Sequence, residues 1–154
     1  MSRFLIPLLI LFSQQPLSSL AANSGVQNGD QTLIVARGRV LCLDSSGREV
    51  DSLLGCNEQG HRFGFASKEG RLYKFSPSDA MAEMFTDSRV RQRELQISAR
   101  LFAGDRLEVI KVQSVKEGKL YDIYYFCELC NIKAYAPGLC PCCRNQLEFR
   151  ETPQ

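Results

Sequence analysis

The stretch Leu33-Ile-Val-Ala-Arg-Gly-Arg-Val-Leu-Cys-Leu43 decides the fold. It is rich in aliphatic and β-branched residues, which favour strands. It also carries Gly38 at its centre, and a glycine inside a strand pattern indicates a bulge or a sharp bend. We therefore predict one long strand that bends at Gly38, as a small and tightly curved β-sheet requires.

The residues after this strand alternate between short strand patterns and turns. His61-Arg-Phe-Gly-Phe65 and Arg71-Leu-Tyr-Lys-Phe75 flank the turn Lys68-Glu69-Gly70 and predict a hairpin. Ser76-Pro77-Ser78-Asp79 has the composition of a helix start, so a short helix is expected from Asp79 to about Phe85. Further strands are predicted at Gln92–Phe102, Leu107–Lys116 and Lys119–Phe126.

This order of strands resembles the OB-fold, a five-stranded Greek-key barrel. In that fold a helix lies between the third and fourth strands, as predicted here. The resemblance covers residues 32–116 and implies a mainly β fold, with a small OB-like antiparallel barrel and one short helix. We assign residues 32–126 to this unit, whose last strand leads directly into the C-terminal tail. Other small barrels and sandwiches share the pattern and stay open as alternatives.

The C-terminal tail, residues 127–154, carries two Cys-x-x-Cys pairs separated by nine residues. Each pair can wrap a tight turn that points two thiolates at one ion, and two such turns supply four sulfurs in a tetrahedron. The tail resembles a zinc ribbon built on rubredoxin-type knuckles and a β-hairpin. The resemblance implies four metal ligands, Cys127, Cys130, Cys140 and Cys143. Zinc suits four thiolates best, although iron or copper(I) would accept the same sulfurs.

The remaining cysteines leave alternatives open. Cys142 is a fifth thiol beside the second pair, so either Cys142 or Cys143 completes the set of four. Disulfides could replace the metal in an oxidising compartment. Thiol redox chemistry or metal transfer is a third reading. Cys42 and Cys56 are far enough apart in sequence to form a disulfide, but the spacing alone does not decide whether they do.

The N-terminus has the pattern of a secretory signal peptide. Arg3 precedes the apolar run Phe4–Phe12, and small residues follow at Ser19-Leu-Ala-Ala22. The run is too short to span roughly 30 Å of hydrocarbon as a helix. We expect residues 1–22 to be a signal peptide, residues 23–31 to be a flexible lead-in, and the mature protein to be secreted or periplasmic without a stable membrane span. An uncleaved anchor is the alternative.

Other chemistry-bearing residues have simpler interpretations. His61 is the single histidine, and no nucleophile or carboxylate stands at a telling spacing from it. Met81 and Met84 would share one helical face, which favours core packing over copper binding. A basic stretch is expected to be a solvated, partly paired face; its members are Arg89, Arg91, Arg93 and Arg100.

The sequence contains no complete catalytic constellation: a P-loop, a Gly-x-Ser-x-Gly elbow and a His-Glu-x-x-His motif are all missing. Lys and Arg number 19 against 17 Asp and Glu, so the net charge of +2 gives no general attraction for nucleic acid. We expect an exported, non-enzymatic module with a structural zinc site, which binds an unidentified protein partner in the cell envelope. The alternatives are a metal or thiol handling protein, or an oligonucleotide-binding OB protein if the N-terminus is not a signal.

Overall fold

The structure is a computed structural model that describes residues 31–51, 56 and 60–154. The predicted signal peptide, residues 1–22, and nearly all of the lead-in, residues 23–31, lie outside the described residues. Within the described ranges, no helix has both the length and the apolar character needed to cross a membrane.

The fold is mainly β, which confirms the predicted fold class. Within the described residues, nine strands join in one sheet: β1 (Thr32–Leu43), β2 (Glu49–Val50), β3 (Arg62–Ser67), β4 (Leu72–Phe75), β5 (Leu95–Phe102), β6 (Arg106–Lys116), β7 (Lys119–Cys127), β8 (Ile132–Ala134) and β9 (Glu148–Pro153).

The prediction of one helix from Asp79 to Phe85 needs correction, since the described residues form two short helices there. A 3-10 helix spans Ala80–Thr86, and the helix α1 spans Ser88–Arg91. Each begins at its own aspartate cap. The carboxylate of Asp79 accepts from the backbone N–H of Met81, and that of Asp87 accepts from the N–H of Arg89. Asp87 is extended, with φ −79° and ψ 118°, and so it divides the segment in two.

Five strands close into a ring rather than a regular barrel. β1 pairs antiparallel with β3 and with β5, β3 pairs with β4, and β5 pairs with β6. A parallel contact between β4 and β6 completes the ring, but it joins only Lys74 to Arg106 and Phe75 to Leu107. The closing seam is therefore the shortest strand pairing in the ring. Both helices lie between β4 and β5 in the chain.

Gly38 is where β1 passes from one neighbour to the other. It pairs with Leu95 of β5 and with Ser67 of β3. A Cβ atom at this position would overlap the carbonyl oxygen of Ala66 on β3. Only glycine allows this close approach of the two strands, so the bend predicted from the sequence has a steric basis.

The ring encloses an apolar core. Its fully buried members include Phe65, Phe85, Leu95, Ile97 and Leu107. The Phe85 ring stacks on that of Phe75 at 4.8 Å between centroids. Met84 is also fully buried and Met81 packs against the core, in agreement with the packing interpretation of these methionines.

β7 leaves the ring and carries the cysteine-bearing tail. Its residues 119–122 pair with β6 and its residues 125–127 pair with β8, while β9 pairs with residues 121–126. The last strand of the tail is β9, and Gln146 just before it forms an isolated bridge with Leu139. The boundary predicted between residues 126 and 127 falls inside β7. This strand therefore belongs to both the predicted barrel unit and the cysteine-bearing tail.

Candidate metal centre

The structure brings together the four cysteines named from the sequence. The Sγ atoms of Cys127, Cys130, Cys140 and Cys143 all lie within 4.8 Å of one another. The sulfurs of Cys127 and Cys143 are 3.5 Å apart. Cys127 and Cys140 are buried, whereas Cys130 and Cys143 are partly accessible. A group of four sulfurs of this size can surround one metal ion, although the geometry does not select which metal.

Two turns of matching shape position these sulfurs. Each Cys-x-x-Cys pair is followed at once by a residue with positive φ, which is Asn131 at 53° after the first pair and Arg144 at 63° after the second. In the second turn the backbone N–H of Arg144 donates to the carbonyl of Cys140 at 3.0 Å. Asparagine tolerates the left-handed region, so the identity of Asn131 is a sequence signal for this turn. Arginine gives no such signal, so the matching role of Arg144 is seen only in the structure.

Backbone groups of the turns also act on the sulfurs. The N–H groups of Cys143 and Cys142 face the sulfur of Cys140 and, against the effect of burial, lower its thiol pKa to about 7. The N–H of Cys130 likewise lowers the pKa of Cys127, but burial and the neighbouring thiols outweigh it and the net shift is upward. For Cys130 the adjacent thiols of Cys142 and Cys143 raise the pKa. Inward-facing N–H groups of this kind support bound thiolates.

Cys142 lies outside the group of four. Its side chain is exposed, whereas the neighbouring Cys143 points inward. The Cys142 thiol lies next to that of Cys130, at the accessible side of the group. The geometry therefore favours Cys143 as the fourth member of the set, and leaves Cys142 as an accessible thiol beside it.

A carboxylate that the sequence reasoning missed ties this region to the ring. Glu151 on β9 accepts hydrogen bonds from Arg93 at 2.6 and 2.7 Å, from Ser114 at 2.6 Å and from Lys116 at 2.8 Å. Burial raises the pKa of Glu151, but these donors outweigh it and hold the pKa at about 2. Glu151 sits in an ordinary polar segment, and only tertiary contacts bring the donors to it.

The other residues considered from the sequence lie apart from the cysteine group. Cys42 and Cys56 form a disulfide, with 5.7 Å between their Cα atoms. The Nδ1 atom of His61 is buried and has no hydrogen-bond partner among the described residues.

The basic stretch is paired, as expected. Arg89 contacts Asp87, Arg93 contacts Glu151, and Arg100 contacts Glu108. Arg91 donates to the backbone carbonyls of Phe85 and Thr86.

No family model, curated protein or solved structure matches this chain. The assignment of the site therefore depends on the cysteine geometry and on the strand pairing described above.

Proposed function

We propose that the protein is an exported, non-enzymatic module whose four-cysteine site holds one structural zinc ion. The observation that carries the proposal is the group of four Sγ atoms within 4.8 Å of one another. Four thiolates in a closed set are typical of structural zinc sites, because a catalytic site keeps one position open for water or substrate.

The composition of the tail supports a structural role for the metal. Among residues 127–154, only Cys127, Cys140 and Leu147 are buried. Two of these three are proposed ligands, so the tail has almost no apolar core of its own. A segment of this kind gains its folding free energy from the metal.

Export is supported by the N-terminal signal pattern and by the cysteine chemistry. The Cys42–Cys56 disulfide is of the type that persists in oxidising compartments. Thiols grouped around a metal ion can persist in the same compartment, because a coordinated thiolate is protected from exchange. The two cysteine populations are then compatible with one secreted or periplasmic location.

A binding role in the cell envelope is supported by apolar side chains on the tail. Leu129 lies in the first cysteine turn and is 73% exposed, and Leu139 precedes the second pair and is 56% exposed. Tyr135 is nearly half exposed between them in sequence. Exposed apolar residues of this size on one small element are characteristic of contact surfaces. We infer that a protein partner covers them.

Cobalt(II) substitution tests the zinc site. Cobalt bound by four thiolates gives sulfur-to-metal charge-transfer bands that other ligand sets do not give. We expect the wild-type chain and the Cys142→Ser variant to bind one equivalent with the same spectrum, and Cys143→Ser to lose one thiolate ligand. Failure of the wild-type chain to bind cobalt under reducing conditions would remove the proposal.

A second candidate function follows from a basic cleft on the ring. The strand order and the helix position support the OB-like resemblance, and OB-folds commonly bind oligonucleotides. A cleft of about 530 Å³ opens at one end of the ring, and its lining includes Arg62, Lys74 and Arg106. Within the described residues none of these three cations has an ion-pair partner, in contrast to the basic stretch described above. The lining also includes the carboxylate of Asp44, which is paired with Arg48, so the three cations still favour an anionic ligand, for which we take single-stranded oligonucleotide.

Fluorescence anisotropy with a labelled oligothymidylate tests this second candidate. If the three cations each contact one phosphate, the logarithm of the binding constant should fall with the logarithm of salt concentration with a slope of about −2. Alanine at Arg62, Lys74 and Arg106 should abolish binding. The matched control replaces three paired cations, Arg39, Lys68 and Arg100, and changes the net charge equally. Equal losses in both variants would show non-specific attraction only.

A further inference from the structure

The N-terminal half of β1 is a free sheet edge with apolar side chains. On one side it pairs with β5 from Thr32 to Gly38. On the other side β3 pairs with β1 only from Gly38 onward, apart from a hydrogen bond from the backbone N–H of Lys68 to the carbonyl of Arg37. Within the described residues, no strand pairs with this side of β1 before Arg37.

The hydrogen bond at Arg37 fixes which residues face the free edge. Backbone groups of an antiparallel strand alternate between its two neighbours. The backbone carbonyl of Arg37 points toward β3, so the backbone N–H and C=O groups of Val35 and Leu33 point to that same side. Those of Ile34 point toward β5. The free edge therefore presents the N–H and C=O groups of Leu33 and Val35. Their side chains are also among the most exposed apolar ones in the described chain, at 73% and 66%.

This edge lacks the features by which proteins normally protect an exposed strand. Thr32-Leu-Ile-Val-Ala36 contains no charge and no proline, and its β propensity is high. Native edge strands usually carry a lysine, a proline or a bulge that prevents pairing with another chain. The absence of all three within residues 32–36 indicates that the edge is used for pairing.

We propose that two copies of the chain associate through this edge, by antiparallel pairing of β1 with β1 about a two-fold axis at Ile34. In this register Leu33 lies opposite Val35 of the second copy, and Val35 lies opposite its Leu33. The two pairs exchange four backbone hydrogen bonds, which use all four free groups of each copy. The same register places the exposed leucine and valine side chains against each other on one face of the sheet.

The charges and the neighbouring register are compatible with this arrangement. Arg37 would lie opposite Gln31 of the second copy, so no like charges face each other. If the axis lay one residue later, at Val35, Leu33 would lie opposite Arg37 of the second copy. The carbonyl of that Arg37 already accepts a hydrogen bond from Lys68. The unpaired backbone groups of Leu33 and Val35 therefore favour the register centred on Ile34. The paired surface is small, so we expect a weak dimer whose population depends on concentration.

Residue-resolved amide hydrogen exchange on the full chain tests the proposal, together with sedimentation velocity. In the monomer the amides of Leu33 and Val35 exchange freely, whereas that of Ile34 is protected by β5. We expect the exchange of Leu33 and Val35 to slow by about tenfold once nine tenths of the chain is dimeric, with Ile34 unchanged.

The variant Leu33→Lys/Val35→Lys should sediment as a monomer at every concentration while keeping its fold, because both side chains are exposed. Ile110→Lys/Leu129→Lys is the matched control, with two exposed apolar residues elsewhere, and should still dimerise. Free exchange of Leu33 and Val35 at all concentrations would overturn the proposal. Protection independent of concentration would also overturn it, since another segment of the same chain would then occupy the edge. Dimerisation of the lysine variant would do the same.

Discussion

The ring and the cysteine-bearing tail are built from similar strands but are stabilised in different ways. The ring buries large apolar side chains such as Phe65, Phe85 and Ile97 completely. The tail, residues 127–154, buries one leucine and two cysteines. Since burial of a large apolar side chain contributes roughly 1.5–3 kcal/mol, the ring can fold by burial and the tail cannot. The comparison indicates that the tail depends on its metal site and on its contacts with the ring.

Loss of a metal ligand should have the largest effect, and this effect should be confined to the tail. The substitution Cys140→Ser removes one of the two buried thiols of the site. Zinc contributes an apparent 10–16 kcal/mol to the folding of zinc-finger peptides, so we expect loss of stoichiometric zinc and of amide protection in β8. Protection in β5 and β6 should persist. Hydrogen exchange and metal analysis measure both effects, and Cys142→Ser is the control that should change neither. Loss of protection throughout the ring would contradict the account.

A core substitution in the ring should have the next largest effect. Phe85→Ala removes a fully buried ring that packs against Phe63 and Phe75. We expect the free energy of unfolding to fall by about 3–5 kcal/mol, with the zinc content of the folded protein unchanged. Urea denaturation measures the first quantity and metal analysis the second. Leu139→Ala, at an exposed position of the tail, should change stability by less than about 0.5 kcal/mol.

The contact between tail and ring should be sensitive to Glu151. Its carboxylate is ionised among Arg93, Ser114 and Lys116, so Glu151→Gln should lower the free energy of unfolding by about 2 kcal/mol at pH 7. This is less than the pKa difference alone would give, because Lys116 is partly exposed to water. Glu148→Gln is the control, since Glu148 lies on the same strand but is exposed.

The pH dependence gives an independent check on Glu151. Its folded pKa of about 2 is below its ordinary value near 4.5. The carboxylate therefore stabilises the fold fully above pH 4.5, and this contribution is lost as the pH falls toward 2. Urea denaturation at a series of pH values should show wild type and Glu151→Gln converging in that range. If the difference between their free energies of unfolding stayed constant down to pH 2, the charge of Glu151 would not be the source of the stabilisation.

The turn residue Asn131 should give the smallest effect. Its φ of 53° is unfavourable for a β-branched side chain. We expect Asn131→Val to weaken zinc binding by about 1 kcal/mol, or roughly fivefold in a competition with a chelator. Asn131→Gly should bind within a factor of two of wild type. Equal affinities for the valine and glycine variants would show that the backbone conformation does not matter to the site.

The sequence predicted most of these features because they depend on local patterns. The long strand around Gly38, the hairpin and each cysteine pair are formed by residues close together in the chain, so spacing alone reveals them. Two features were not predictable in this way. The division of the helical segment depends on the extended backbone of Asp87, and the role of Glu151 depends on donors up to 58 residues away in the chain.

The sequence alone also could not show whether Cys142 or Cys143 belongs to the group of four. Two adjacent cysteines have the same chemistry, and their spacing from Cys140 differs by a single residue. Only the direction of each side chain in the folded turn distinguishes them. The structure supplies that direction, with Cys143 inside the group and Cys142 exposed.

Native mass spectrometry after alkylation shows whether the four tail cysteines hold one metal ion. We predict a folded chain with one zinc ion, one alkylated thiol at Cys142 and an intact Cys42–Cys56 disulfide. Treatment with a chelator should remove the zinc and expose four more thiols to alkylation. A folded chain that carries no metal and has its tail cysteines paired as disulfides would contradict the account.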